Sequence, residues 1–345
     1  MRKVIVTGGA GYIGSHVVVE LAGSGYQPII IDNFSNSERF IIDRLKKLTG
    51  KSDLSVYDFD CLDKKAFADV LKKEGSIEGI IHFAAFKAVG ESVAHPLKYY
   101  RNNLDSLLNV LELMSEYQIK QLVFSSSCTV YGTTKELPVT EFTPTVKADS
   151  PYGNTKKIGE EILKDTINSG VQIKVAALRY FNPVGAHPSA LIGELPIGRP
   201  NNLIPFITQT AAGLQKELQI FGNTYNTFDG TCVRDFIHVV DLAKAHIAAL
   251  GYLNKSQQTP LFDVFNIGTG KGNSVLEMVQ GFEKVTGVKL NYRIVDKRSG
   301  DVEQIYADTT KANEVLGWNS HLTIEDSLLD AWNWQKQLLD IKITK

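Results

Sequence analysis

Short apolar runs alternate with longer amphipathic segments through the first half of this sequence. Runs rich in Val, Ile or Phe, as buried strands are, occupy residues 3–7, 28–32, 54–58, 79–84, 121–125 and 172–178. The segments between them have helical length and cover residues 12–22, 38–48, 64–73, 96–117 and 152–168. Five repeats of strand, helix and strand predict an α/β fold with a doubly wound parallel sheet and helices on both faces.

The alternation breaks after residue 180. Gly, Pro and Asn cluster through residues 182–202, and shorter, mixed elements follow. A chain of 345 residues also exceeds the size at which a single core usually stops growing. We therefore expect a sheet domain over residues 1–180 and a smaller mixed α/β cap over residues 181–345, with later chain crossovers between them.

Composition limits the partners of this chain. The net charge of −1 and the pI near 6.7 provide no basic field for nucleic acid or anionic lipid. Neither an apolar run of 18 residues nor a signal-like region before the first strand is visible, so we expect a cytoplasmic protein without membrane contact. Cys61, Cys128 and Cys232 are odd in number and widely spaced, which argues against disulfides and a zinc site.

A glycine fingerprint follows the first predicted strand. Gly8, Gly11 and Gly14 lie where that strand passes into the helix that begins near Tyr12, and glycines there allow a tight turn and close approach of a pyrophosphate to main-chain N–H groups. Asp32 ends the second strand, where a carboxylate accepts both hydroxyls of the adenosine ribose and repels a 2′-phosphate. This favours NAD over NADP, although the nearby Arg39 leaves NADP open.

A second motif, Tyr152-x-x-x-Lys156, lies on the predicted helix after Ser150-Pro151. Its two side chains share a helix face one turn apart, so the ammonium and a bound nicotinamide cation should lower the pKa of the phenol and make it a general base. A serine run, Ser125-Ser126-Ser127, ends the fifth strand at the carboxyl edge of the sheet, where a Ser hydroxyl can bridge substrate and Tyr152. Each feature alone could be a surface pair or a strand cap, but together they predict a site that oxidises an alcohol.

The sequence resembles the UDP-glucose 4-epimerase family of the extended short-chain dehydrogenase/reductase superfamily, from residue 4 to about residue 334. The matching stretches are VTGGAGYIGSH, IHFAAFKAVGESV, YYRNNL, FSSSCTVYG, SPYGNTK, RYFNPVGAHPS, NNLIPF, DGTCVRDFIHVVDLA, FNIGTG, and RSGD before YADTTKA. The resemblance implies an NAD-binding Rossmann domain, a UDP-sugar-binding cap and interconversion of UDP-galactose and UDP-glucose. In that reaction NAD transiently oxidises C4, the 4-keto sugar rotates, and hydride returns to its opposite face.

The resemblance also implies roles for individual residues. Those expected to be catalytic are Ser127, Tyr152 and Lys156. Those expected to line NAD are Gly8, Gly11, Tyr12, Ile13, Gly14, Asp32, Asn33, Asp60, Cys61, Phe83, Ala84, Lys87, Asn102, Tyr152, Lys156 and Tyr180. Those expected to hold the UDP-sugar are Ser127, Asn182, Asn202, Leu203, Phe221, Arg234, Arg298, Asp301 and Ile305, with the two arginines on the diphosphate.

Three positions depart from the pattern of bacterial members. Ala85 replaces a usual Gly, and Cys128 replaces a usual Ala, and both should be tolerated as small residues. Ile305 stands where a bulky Tyr often restricts the pocket beside the sugar 2-position. We therefore expect a main activity on UDP-hexoses with weaker activity on UDP-N-acetylhexosamines.

The family resemblance further implies a homodimer in which helices 96–117 and 152–168 pair with their symmetry mates. The apolar stripe of Leu104, Leu107, Leu108 and Leu111 fits such an interface, but it could equally face the sheet. His16, His82 and His238 lack metal-like spacing and are expected to pack, so no metal is implied. Glu160-Glu161 is expected to lie on a solvated helix face.

Three other functions are possible for a protein with this glycine fingerprint. A nucleotide-sugar 4,6-dehydratase would need an Asp-Glu pair where Cys128 and Thr129 stand. A non-catalytic NAD sensor would be expected to lose the Ser, Tyr and Lys that are intact here. A net alcohol dehydrogenase stays open, and steady NADH release would reveal it.

Overall fold

Fourteen strands were found in the computed structural model, which describes residues 2–134, 136–146, 148–298 and 301–343. In chain order they are β1 (Arg2–Thr7), β2 (Tyr26–Asp32), β3 (Ser55–Asp58), β4 (Gly79–His82), β5 (Gln121–Ser127), β6 (Lys174–Tyr180), β7 (Asn182–Val184), β8 (Leu218–Phe221), β9 (Val233–Arg234), β10 (Phe236–His238), β11 (Leu261–Ile267), β12 (Asn273–Ser274), β13 (Tyr292–Val295) and β14 (Gln304–Ile305).

Ten α-helices were found in the same described ranges. They are α1 (Tyr12–Gly23), α2 (Phe40–Thr49), α3 (Lys64–Glu74), α4 (Val89–Ala94), α5 (Pro96–Glu116), α6 (Pro151–Asn168), α7 (Leu203–Ala211), α8 (Val239–Lys255), α9 (Val275–Thr286) and α10 (Ile324–Ile343). A 3₁₀ turn at Cys128–Tyr131 follows β5, and a π-helical turn occupies Ala312–Leu316. In the part of the chain that the structure describes, no helix has both the length and the apolar character needed to span a bilayer.

Seven parallel strands build the large sheet in the order β11, β6, β5, β4, β1, β2, β3. The order reverses beside β1, which is the arrangement of a doubly wound sheet, so the predicted fold class is confirmed. β11 comes from the second half of the chain and pairs with β6 along its whole length, from Leu261 opposite Lys174 to Ile267 opposite Tyr180. The chain therefore returns from the cap to complete the sheet.

Alternation along the strands fills two apolar layers. Val4 and Val6 of β1 point to the face covered by α1, α2 and α8, whereas Ile5 points to the face covered by α3, α5 and α6. A strand buried on both sides needs apolar residues at every position, which explains the continuous runs in the sequence. A third core, with Ile220, Phe236 and Phe282 at its centre, lies in the cap.

The observed elements differ from the predicted ones in ways that affect the site. β5 continues to Ser127, two residues beyond the predicted end, and β4 stops at His82 instead of residue 84. The helix α4 was not predicted. Leu107 and Leu111 of the predicted stripe are buried in the core beneath the sheet, so they cannot form an intersubunit surface, while Leu108 is exposed.

Candidate active site

The glycine turn between β1 and α1 forms a shallow cradle. Gly8 has a φ of +70°, and a Cβ there would lie 3.1 Å from the main-chain nitrogen of Ala84. A Cβ at Gly14 would collide with the carbonyl oxygen of Gly8, so this glycine permits close packing of helix on strand. The N-cap residue of α1 is Gly11, which has no side chain, and the first N–H groups of the helix are therefore left for an anion. The turn fits a dinucleotide pyrophosphate.

Asp32 lies at the carboxyl end of β2, beside this turn. Its two carboxylate oxygens accept hydrogen bonds from the main-chain nitrogens of Ala10, at 2.9 Å, and Phe34, at 2.8 Å. Burial raises its pKa, and these hydrogen bonds oppose the shift. Arg39, which had kept NADP open, pairs with Asp58 and lies over the ring of Phe34. The guanidinium is thus occupied by other partners, and the role of Asp32 at the ribose stays a prediction.

The other residues expected around NAD fall into small groups. Asn33 and Asp60 are joined by a 2.8 Å hydrogen bond. Phe83 and Tyr180 both pack against the buried ring of His246, with centroids 4.8 and 5.9 Å from it.

The remaining members of the expected cofactor set lie at the edges of these groups. Cys61 is buried, and burial raises the pKa of its thiol to about 12. Asn102 donates to its neighbour Asn103, and Lys87 pairs with Glu194. Tyr12 and Ile13 open α1 directly after the glycine turn.

The three expected catalytic residues meet at the carboxyl edge of the sheet. Ser127 ends β5, while Tyr152 and Lys156 lie on the first turns of α6, whose start is fixed by the Ser150 hydroxyl accepting from the N–H of Gly153 at 3.2 Å. The Lys156 ammonium donates to the main-chain oxygen of Ser125 at 2.6 Å. Burial lowers the pKa of Lys156 to about 8.

Burial dominates the pKa of the Tyr152 phenol in the protein chain, and its lowering by Lys156 together with a bound nicotinamide cation stays a prediction. Burial of the phenol raises its pKa to about 12, and the nearby Ser127 hydroxyl opposes that rise. The ammonium of Lys156 does not offset this rise, because it is directed to the Ser125 carbonyl rather than to the phenol. Positive charge beside Tyr152 would oppose the effect of burial on this pKa.

A buried ion pair supports the catalytic helix. Glu160 accepts from Arg179 of β6 through both carboxylate oxygens, at 2.8 and 2.6 Å, and from the Ser126 hydroxyl at 2.6 Å. The expectation of a solvated face was wrong for Glu160, because one turn beyond Lys156 the helix faces the sheet. The pair ties α6, β5 and β6 together behind the three catalytic residues.

The residues expected to hold the UDP-sugar make separate contacts in the second half of the chain. The main-chain nitrogen of Asn182, on β7, donates to Asp235 O at 2.9 Å, next to Arg234. Arg298 pairs with Asp301 at 2.8 Å and lies over the ring of Phe221. The Arg298 guanidinium thus lies against a partly exposed aromatic ring.

Ile305 and the start of α7 complete this set of residues. Ile305 is opposite Arg234 in the small sheet and is 5% exposed, in an apolar cluster with Cys128, Val130 and Phe181. Ile305 therefore packs in the same apolar cluster as Cys128 and Val130, which follow Ser127 in the chain. Leu203 begins α7, and its N-cap residue Asn202 donates to Glu194 at 2.6 Å.

Sequence reasoning missed several residues that hold the site together. The side-chain amide of Asn103 accepts from the main-chain nitrogen of Phe86 and donates to the main-chain oxygen of the same residue. It also donates to the Thr155 hydroxyl at 3.0 Å, so it fixes the loop after β4 to α6. Asp235 accepts from the N–H groups of Thr269, Gly270 and Ala307 behind Arg234. Asn103 lies in the motif YYRNNL and Asp235 lies in DGTCVRD, but the sequence assigned roles only to their neighbours Asn102 and Arg234.

A glycine turn suited to a dinucleotide, and a Ser, Tyr and Lys group at the same sheet edge, define a Rossmann-type enzyme that acts on an alcohol. Residues 4–268 match the model of the NAD dependent epimerase/dehydratase family. The chain belongs to this family.

Individual relatives agree over nearly the full length. The chain is 51% identical over 332 residues to a UDP-glucose 4-epimerase of Bacillus subtilis, covering 96% of each chain, and 48% identical to that of Homo sapiens, covering 97% of each. Among solved structures, the Stenotrophomonas maltophila enzyme with bound NAD and formylated UDP-arabinopyranose is 44% identical. The TM-score is 0.95, with 99% of this chain and 100% of that chain covered. The Bifidobacterium longum enzyme with NAD+ and UDP is 46% identical, with a TM-score of 0.92 and coverage of 97% and 98%.

Proposed function

We propose that this protein interconverts UDP-galactose and UDP-glucose by NAD-dependent oxidation and reduction at sugar C4. The observation that carries the proposal is the meeting of Ser127, Tyr152 and Lys156 at the carboxyl edge of the sheet whose first strand ends in the glycine turn. A UDP-sugar anchored in the cap would present its hexose to both the tyrosine and the cofactor. The names of the relatives, which span the whole chain, support the same reaction.

The residues described above fit NAD through the glycine turn, Asp32 and the aromatic pair of Phe83 and Tyr180. When bound, NAD supplies a reversible hydride acceptor with a positively charged ring. Lys156 would hold the nicotinamide ribose, and its ammonium would add to the field that favours a phenolate at Tyr152.

The chain's own part in the reaction is proton transfer and positioning. The Tyr152 oxygen takes the proton of the sugar 4-hydroxyl and later returns it, while the Ser127 hydroxyl orients that same oxygen. Arg234 and Arg298 hold the diphosphate, so the hexose is bound mainly through its nucleotide end. The 4-keto sugar can then turn and present its other face.

Substrate range follows from Ile305. A β-branched aliphatic side chain without a phenol ring leaves part of the space that an N-acetyl group needs. The proposal therefore includes weaker epimerisation of UDP-N-acetylhexosamines.

We also propose a cytoplasmic homodimer. The outer face of α5 exposes Leu97 by 81% and Leu108 by 41%, which is apolar surface available to a second copy. Cys61, Cys128 and Cys232 are free and buried, as suits a reducing compartment. A monomeric mass at micromolar concentration would contradict the dimer.

The test is turnover of UDP-galactose by the purified protein without added cofactor. We expect UDP-glucose to form to a near-balanced mixture, with no steady release of NADH. Steady NADH release would instead identify a net alcohol dehydrogenase, and a dehydrated 4-keto product would identify a dehydratase. Absence of any product with NAD-saturated protein would overturn the proposed reaction.

A further inference from the structure

Glu194 connects two binding regions that belong to different ligands. One of its carboxylate oxygens accepts from the Lys87 ammonium at 3.2 Å and from the Asn202 side-chain amide at 2.6 Å. Lys87 follows β4 on the cofactor side, and Asn202 caps α7 on the substrate side. Neither the glycine turn nor the Tyr and Lys motif includes this carboxylate.

Side chains from the first and the last part of the chain hold the backbone around Glu194 in place. Its main-chain oxygen accepts from the Trp334 indole at 2.8 Å, and a Cβ on Gly193 would lie 2.6 Å from the same indole. Three residues before Glu194, the oxygen of Leu191 accepts from Arg44 of α2 at 2.7 Å. The carboxylate is therefore presented from a rigid segment rather than from a loose loop.

The charge of Glu194 also reaches the start of α1. The Tyr12 hydroxyl donates to the main-chain oxygen of Gly185 at 2.8 Å, and the Lys87 ammonium lies 5.9 Å from the centre of its ring. Burial, with the charge of Glu194 as a second cause, holds the pKa of Tyr12 well above its usual value. A single carboxylate, only 12% exposed, thus touches or influences three residues at the boundary of the two sites.

We propose that Glu194 is a positioning residue that orients Lys87 for the dinucleotide and Asn202 for the nucleotide sugar. The inference rests on the proposed function, because that function makes these two residues ligand contacts. Removing the carboxylate frees both side chains, so affinity for both ligands falls although Glu194 touches neither.

Glu194→Ala, prepared saturated with NAD, tests this. Because the hydrogen bond that orients Asn202 is lost, we expect an increase of about tenfold in the dissociation constant for UDP by calorimetry. The rate of NAD loss on dilution should also rise by about tenfold. The matched control is Glu78→Ala, since Glu78 has a 15% exposed side chain that pairs with Arg2 at the opposite end of β1. This control should leave both ligands at wild-type values.

Two further measurements separate positioning from a merely structural role. Glu194→Gln keeps an acceptor for Asn202 but loses the charge that faces Lys87, so it should accelerate NAD loss more than it weakens UDP binding. In an Asn202→Ala background Glu194→Ala should add little to the UDP dissociation constant, since the two residues act as a unit.

The proposal is overturned if Glu194→Ala lowers only the melting temperature, or if its effect on UDP binding is fully additive with Asn202→Ala. None of these readouts needs turnover. A protein that shows the coupling but no epimerisation contradicts the proposed function, whereas an active protein without the coupling contradicts this inference alone.

Discussion

The Lys156 ammonium donates to the main-chain oxygen of Ser125, 2.6 Å away, and not to the phenol of Tyr152 four residues earlier on the same helix. This contact holds a buried cation at the end of β5, close to where a bound nicotinamide ribose would lie. It separates two functions that the sequence motif merges. In the proposed reaction Lys156 supplies charge and cofactor contact, while Tyr152 supplies the proton-transfer atom.

Tyr152→Phe should fold and bind NAD but lower turnover of UDP-galactose by a factor on the order of 10²–10⁴, because only the oxygen that moves the proton is lost. Steady-state assays and the amount of bound NAD check this together. Tyr292→Phe is the matched control, since Tyr292 lies exposed on the cap strand β13. Near-normal turnover in Tyr152→Phe would remove the central assignment.

Lys156→Met should change how stability depends on pH. The folded pKa of Lys156, about 8, lies below its ordinary 10.5, so the unfolded chain binds more protons between those values. The free energy of unfolding of the wild type therefore rises across this window, relative to the variant, by on the order of 1–3 kcal/mol. Urea unfolding at pH 7.5 and about pH 10 measures the difference.

The control for that experiment is Lys157→Met, because the Lys157 ammonium donates to the main-chain oxygens of Thr145 and Val146 in the adjoining loop. If Lys156→Met and Lys157→Met show the same pH dependence, then Lys156 is not the desolvated cation described here.

Acid should destabilise the fold through buried imidazoles. Burial lowers the pKa of His16 and His82 to about 3 and that of His246 to about 4. Their contribution to stability is complete above about pH 6.5 and is lost as the pH falls toward the folded values, by up to about 1.4 kcal/mol per pH unit for each group.

His246→Phe should therefore reduce the loss of unfolding free energy between pH 6.5 and 4.5, whatever its effect at neutral pH. Chemical unfolding at several pH values provides the measurement. His95→Gln serves as the control because its ring is exposed. An unchanged slope in His246→Phe would show that this imidazole is already charged in the folded protein.

Ile305→Tyr should suppress activity on UDP-N-acetylglucosamine while sparing UDP-glucose, because a phenol ring fills the space beside the sugar 2-position. Pocket discrimination of this kind is worth about 1–3 kcal/mol, so the expected ratio of kcat/KM values changes by about 10- to 100-fold. Ile305→Ala should favour the N-acetyl substrate, at some cost in stability because the side chain is buried against Cys128. If neither variant alters the ratio, Ile305 does not line the sugar pocket.

Local motifs made the fold and part of the site predictable. The glycine turn and the Tyr152 and Lys156 pair depend on spacing within one element, which sequence displays directly. Glu194 and Glu160 were not predictable in this way, because their partners lie on distant elements and are chosen by packing. The stripe containing Leu107 was ambiguous for a related reason: periodicity shows that a helix has an apolar face but does not show what covers it.

The place of β11 in the large sheet has a consequence for how the chain acquires its structure. β6 is an internal strand only after residues 261–267 have been synthesised and have paired with it. Until then β6 presents an open edge of N–H and C=O groups, of the kind that recruits other chains. A fragment ending near residue 180 should therefore aggregate during expression, and the nascent protein should depend on chaperones until about three quarters of it has left the ribosome.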